Sequence, residues 1–128
     1  MKILIVDNDK NTVELIKASL ISKVDCGIDL ACSGEEALEM MKKNGKYDLL
    51  ILDIMMPTIS GLDVCDLMMK DEKLKNIPVL LISALPIASS SFQESLEKFK
   101  ELKLVKDVLE KPFEIDSLAN KVKAIVGK

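Results

Sequence analysis

Asp53 closes a short apolar run, Asp48-Leu49-Leu50-Ile51-Leu52-Asp53, and the stretch Ile54-Met55-Met56-Pro57-Thr58-Ile59-Ser60-Gly61 follows it. A carboxylate at the C-terminal end of a buried parallel strand lies where open α/β sheets bind ligands and do chemistry. The Pro- and Gly-marked loop brings such a side chain out into a surface crevice. Three other apolar runs end in chemically capable residues: Ile3–Val6 in Asp7-Asn8-Asp9, Val79–Ile82 in Ser83-Ala84, and a run ending at Leu109 in Lys111. Two crowded carboxylates repel, which raises the pKa of one unless a cation joins them. Oxygen donors of this kind, with room for waters, suit Mg²⁺. A lysine and a hydroxyl opposite can hold phosphoryl oxygens, and phosphoryl transfer needs little beyond such positioning and charge neutralisation. Aspartate is itself an established nucleophile in acyl-phosphate chemistry.

The elements that must position these residues alternate between strand and helix. Strands are expected at Ile3–Val6, Gly27–Ala31, Leu49–Leu52, Val79–Ile82 and within Leu104–Leu109. Helices are expected at about Lys10–Ser22, from a capping box at Ser33 and Glu36 to about Lys43, at Gly61–Lys70, at about Phe92–Leu102 and at Ile115–Val126. Val13, Leu15, Ile16 and Leu20 form the apolar pattern of the first helix. Leu62, Cys65 and one of Met68 or Met69 point inward on the third, and Leu118, Val122 and Ile125 on the last. Asn44-Gly45 ends the second helix, and Gly61 serves the turn before the third. Five such βα units imply a parallel sheet with helices on both faces. Periodicity does not give the strand order. In the order 2-1-3-4-5, Asp7 and Asp53 converge at the switch point, with Ser83 and Lys111 on the other flank.

The bulk properties bound the rest. The 128 residues fit one domain, 48% hydrophobic and 30% charged, as in ordinary globular proteins. Aromatics are 3%, so the core is aliphatic, with seven Met as filler. The Met55-Met56 and Met68-Met69 pairs read as core and loop filling. A net charge of −3 with no basic block argues against nucleic acid or an anionic membrane as the main partner. With no His and three Cys (Cys26, Cys32, Cys65) lacking Cys-x-x-Cys spacing, a zinc site is not expected, and reduced thiols are. The N-terminus MKILIVDNDK is too short in apolar residues for a signal peptide, and the expected location is cytoplasmic.

The sequence resembles the response-regulator receiver domain of two-component signalling along its whole length. The resemblance rests on KILIVDND, LLILDIMMPTISGLDVC, VLLISAL and EKPF, in that order, with 46 residues from Asp7 to Asp53 and 30 from Asp53 to Ser83. It implies a doubly wound (βα)5 flavodoxin-like three-layer sandwich with parallel sheet order 2-1-3-4-5, a single receiver domain over 1–128 and no effector domain in this chain. By this resemblance Asp53 is the phosphoacceptor, and Asp7 and Asn8 stand at the acidic-pair positions. Mg²⁺ is then held by Asp7, Asn8, Asp53 and the Met55 backbone carbonyl. Ser83 becomes the switch hydroxyl and Lys111 the conserved lysine, with a cis peptide at Lys111-Pro112. The implied partners are a histidine kinase or histidine phosphotransfer protein upstream and a protein partner or absent effector domain downstream. The signal would leave by the face of the fourth helix, fifth strand and fifth helix. Such a domain is not an enzyme in the ordinary sense, although it assists its own phosphorylation and dephosphorylation.

The chain departs from the family pattern in several places. Asn8 stands where a second acid is usual; its amide can coordinate Mg²⁺ but brings no charge, and Asp9 is expected to cap the first helix instead. Val108 replaces the Tyr or Phe of many relatives. The 28 residues from Ser83 to Lys111 exceed the family norm by more than a helical turn. Met55 and Leu85, each two residues beyond a key side chain, present apolar groups that would hinder an attacking water and lengthen the life of an acyl phosphate. Two other classes fit poorly. An Asp-nucleophile phosphohydrolase wants an acid where Met55 stands, and a flavodoxin-like FMN carrier wants a phosphate loop where Asp7-Asn8-Asp9 would repel one. A pseudo-receiver, binding protein partners without phosphorylation, is the alternative that Asn8 and Val108 keep open.

Overall fold

The computed structural model describes residues 1–44, 46–84, 94 and 103–127. Five strands form one parallel sheet: β1 (Lys2–Val6), β2 (Gly27–Ala31), β3 (Leu49–Asp53), β4 (Val79–Ser83) and β5 (Val105–Glu110), in the order β2-β1-β3-β4-β5. Three helices, α1 (Lys10–Lys23), α2 (Gly34–Asn44) and α3 (Gly61–Met69), and a C-terminal helix (Ile115–Val126) cover the two faces. The expected elements therefore form, with ends displaced by a residue or so, a normal scatter for helix and strand termini. The expected helix near Phe92–Leu102, Gly45, Leu85, most of the long Ser83–Lys111 connection and the Ser89–Ser91 run lie outside the described residues.

Strand alternation divides the core. Leu4, Val6, Leu50, Leu52, Val79 and Leu81 face one way, onto Ala37, Met41, Val64, Cys65 and Met68 of α2 and α3. Ile3, Ile5, Leu49, Ile51, Leu80 and Ile82 face the other, onto Val13, Ile16 and Leu20 of α1 and Leu118, Ala119 and Val122 of the C-terminal helix. Successive side chains on a strand point to opposite faces, and a sheet covered on both sides buries every position, as β3 and β4 do. Leu15 does not join this core; it is 65% exposed. Val13, Ile16 and Leu20 hold one helical face at i, i+3 and i+7, and Leu15 lies about 100° round from Ile16. On α3, Met68 rather than Met69 is the fully buried one, and Val64, absent from the sequence expectation, is buried with it.

Caps set the helix starts next to the strand ends. Asp9 caps α1, its side chain accepting the Asn11 N–H at 2.9 Å. The Ser33 hydroxyl accepts the Glu36 N–H at 3.1 Å. A reciprocal capping box joins Ser60 and Asp63 at the start of α3, which the sequence reading did not foresee. At the opposite end of the sheet, the Tyr47 hydroxyl donates to Asp29 at 2.6 Å, and burial together with that hydrogen bond raises the phenol's pKa. All three cysteines are free; burial pushes the Cys65 thiol up to about 12, so it is an inert core group.

Candidate functional site

Parallel pairing puts the carboxyl ends of all five strands along one edge. β1 pairs with β3 from Ile3↔Leu49 to Val6↔Leu52, so Asp7 and Asp53 are both the next residue in register. β3 pairs with β4 through Asp53↔Ile82, which puts Ser83 one step beyond. β4 pairs with β5 through Ser83↔Glu110, and the Lys111 N–H donates to the Ser83 carbonyl at 2.7 Å. Four residues scattered over more than a hundred positions thus meet on adjacent strand ends. Asp7, Asp53 and Ser83 are all buried, with Ser83 fully enclosed.

Lys111 does not stand on a separate flank. Its Nζ lies 2.7 Å from Asp7 Oδ2 and 3.5 Å from Asp53 Oδ2, between the two acids and closer to the first. Asp7 Oδ1 also accepts the Asp9 N–H at 3.0 Å, and Asp53 Oδ1 the Met55 N–H at 3.3 Å. Burial, and then the neighbouring Asp7 charge, raise the Asp53 carboxyl to about 6, with Lys111 and the Met55 N–H pulling the other way. Burial of Lys111 favours its neutral form, but its hydrogen bond to Asp7 and the two nearby carboxylates outweigh that and leave its pKa raised. The site is therefore an ion triad in which one ammonium serves two acids, and Asp53 is the acid left short of compensation.

The backbone round Asp53 explains Gly61. A Cβ there would lie 2.5 Å from the Asp53 carbonyl oxygen and 2.9 Å from Ile54 Cα. Only glycine permits this approach, which the Gly61 N–H to Ile54 carbonyl hydrogen bond (2.9 Å) holds. Gly61 is thus a packing requirement of the site as well as a turn residue. Met55 is 54% exposed at the rim, which corrects its reading as core or loop filler. Asn8 is exposed beside Asp7. Asp9 is engaged as a cap. The Lys111-Pro112 peptide is cis, as expected. Val108 is half-buried on β5, and Leu85 lies outside the described residues.

Comparison with known proteins gives the family. A family model described as the response regulator receiver domain matches residues 3–123. The chain belongs to the response-regulator receiver family. This receiver is 33% identical over its whole length to the response regulator MprA of Mycobacterium leprae, of which it covers 52%. It is 34% identical over 96% of its length to the transcriptional regulatory protein DltR of Streptococcus agalactiae, covering 50% of that protein. It thus spans about half the length of these curated relatives. Among solved structures it is similar to the receiver domain of Francisella response regulator 1452, with a TM-score of 0.81, 30% identity, and coverage of 98% of this chain and 96% of that one. It is also similar to TrrA of Thermotoga maritima, solved in complex with Mg(2+)-BeF, with a TM-score of 0.78, 36% identity and 97% of both chains covered. No helix among the described residues is long and apolar enough to cross a membrane.

Proposed function

We propose that this receiver accepts a phosphoryl group on Asp53, in a Mg²⁺-dependent reaction, from a histidine kinase or histidine phosphotransfer protein. The observation that carries this reading is the triad: Asp7 and Asp53 side by side at the switch point, with the Lys111 ammonium 2.7 and 3.5 Å away. An Asp53 carboxylate oxygen attacks phosphorus, the P–N bond of the donor phosphohistidine breaks, and the imidazole leaves with that electron pair. Lys111 is within reach of an oxygen on Asp53 and so of a phosphoryl oxygen attached there. Ser83, on the neighbouring strand end, supplies the hydroxyl that would follow the phosphoryl group.

The donor set fits Mg²⁺. Among the described residues no three His, Cys, Asp or Glu side chains form a closed metal cage, which argues against an ion that needs one. Two buried carboxylates at an open rim suit a cation that keeps waters and shares the substrate's phosphate. Asp7, Asn8, Asp53 and the Met55 backbone carbonyl would hold it. When bound, Mg²⁺ neutralises charge on the phosphoryl oxygens during transfer.

We read the domain as a signalling module, not an enzyme with a released product, that works in the cytoplasm and passes its state to a protein partner or an effector domain. The output face would include β5 and the C-terminal helix. Val108 offers no aromatic rotamer switch there, so backbone and helix movement would carry the signal.

Asn8 favours a second reading, a pseudo-receiver that binds partners without phosphorylation, because the site has one charge fewer for a cation. Intact mass after incubation with acetyl phosphate and Mg²⁺ separates the two. A single phosphoryl addition that is lost in Asp53→Asn and without metal supports the phosphoacceptor. No addition at high Mg²⁺ supports the pseudo-receiver.

A further inference from the structure

The edge of the sheet opposite Asp53 carries a second concentration of charge, of the other sign. Between the end of α3 and the start of β5 lies a hollow of about 250 Å³, lined among the described residues by Met69, Lys75, Asn76, Lys103, Leu104 and Lys106. The Val79 N–H donates to the Leu104 carbonyl at 2.8 Å, which fixes one wall where β4 begins. Leu104 is buried and Met69 partly so, which gives the hollow an apolar floor. The described lining brings three ammonium groups and an amide, and no carboxylate.

A bulge places one of these lysines. β5 is an edge strand, and its register against β4 slips by one residue: Val79 pairs with Val105, but Leu80 pairs with Asp107. Lys106 is the extra residue. An unbroken ladder would set Lys106 opposite Leu80, whose side chain belongs to the layer under α1 and the C-terminal helix. Lys106 instead lines the hollow with Met69, which packs on the layer of α2 and α3. Re-aiming a side chain in this way is a known use of bulges. The Lys106 ammonium folds back to donate to the Lys103 carbonyl at 3.1 Å, so it is held at the rim. Lys75 completes the group. Its acid, Glu72 at 2.8 Å, has a side chain 88% exposed, and so open an ion pair holds the lysine only weakly. A cleft lined by one sign of charge concentrates the opposite ion.

We propose that this hollow binds the diphosphate group of a small phosphorylated molecule. Its volume is below the range usual for drug-sized ligands, which favours a compact occupant. Lysine acts on phosphate as a point charge on a flexible stem, and the chain contains no Arg to grip a single carboxylate in a planar fork. Three spread ammonium groups match the several oxygens of two linked phosphates. The site lies at the far end of the strands from the acids and uses none of their residues.

The test is a titration of the full chain with pyrophosphate, free of divalent cations and followed by backbone amide NMR shifts. Without a cation the paired acids at the other edge repel phosphate, so failure here is distinct from failure of the phosphoacceptor reading. Saturable shifts should appear at Asn76, Leu104 and Lys106, with a Kd of roughly 0.1–1 mM near physiological salt. ADP should compete for the same amides, and orthophosphate should bind about tenfold more weakly. Lys103→Gln and Lys106→Gln should each weaken binding about fivefold, whereas Lys106→Arg, which keeps the charge on the same bulge, should stay within about twofold. Lys73→Gln removes the same charge from an exposed residue outside the hollow and should change binding less than about twofold. Shifts that do not saturate by about 10 mM, or an equal loss in Lys73→Gln, would mean diffuse surface attraction and overturn the proposal. Orthophosphate or a tetraglutamate peptide binding as tightly as pyrophosphate, or ADP failing to compete, overturns it as well.

Discussion

At the scale of single residues, Asp53 works against the fold. Its carboxyl titrates near 6 in the native state against 3.8 in a free chain, raised first by burial and then by Asp7. A group whose folded pKa is raised contributes stability that is fully present below the unfolded value and lost as pH rises through the folded one. Ionised Asp53 is therefore a destabilising charge at pH 7. Asp53→Asn should raise stability by roughly 1–3 kcal/mol at pH 7 without divalent cations, and the gain should vanish near pH 4. Thermal melts at the two pH values check this; an unchanged or lower Tm at pH 7 contradicts it. Asn8 makes the complementary prediction. Restoring a charge with Asn8→Asp should tighten Mg²⁺ binding about tenfold, since cation affinity follows the charge count of the ligands. A calorimetric Mg²⁺ titration with no change would mean that the charge at position 8 does not set the affinity.

The elements show how local chemistry aims the site. Each candidate side chain sits at or just past a strand end, and after Asp7, Asp53 and Lys111 a cap or turn leads into the next helix. Ser60 illustrates the energetic weight: its hydroxyl accepts the Asp63 N–H at 3.2 Å, and the Asp63 side chain returns the bond to the Ser60 N–H at 3.0 Å. Ser60→Ala should cost about 1 kcal/mol in urea denaturation, with the effect concentrated in exchange of the α3 first-turn amides. Uniform loss across the chain would argue against a local cap. On α1 the contrast is sharper. Leu15→Gln should change stability by about 0.5 kcal/mol or less because the side chain is exposed, whereas Ile16→Ala should cost about 2–5 kcal/mol. Similar costs for the two would mean that Leu15 is covered in solution.

For the molecule as a whole, the sheet is a partition. Val64 belongs to the apolar cluster under α2 and α3, and Leu118 to the one under α1 and the C-terminal helix. With a full layer of strands between them, Val64→Ala and Leu118→Ala should have costs that add to within about 0.5 kcal/mol. A larger interaction in two-state urea melts would mean that the layers repack together. The same partition leaves the carboxyl edge free of core duty, so charge can gather there without disrupting either cluster.

The chain by itself determined the α/β class, nearly every described strand and helix, and the role of Asp9 as a cap. These are local: apolar periodicity, strand-end polarity and capping residues act over a few neighbours. The motifs in their order also implied the strand order and the site residues, through resemblance to receivers. What only the tertiary structure decided is the geometry among residues distant in sequence. Lys111 Nζ lies 2.7 Å from Asp7 and 3.5 Å from Asp53, a meeting that exists only because β1, β3 and β5 end along one edge of the same sheet. Gly61 must be glycine because α3 folds back onto the Asp53 carbonyl. Leu15 faces solvent because helical phase, not hydrophobicity alone, selects the buried face. Thr58 occupies a left-handed turn that its residue type disfavours, and no local preference would have placed it there; Ile59 beside it packs against Gly34 of α2, and the two meet only once the sheet has formed.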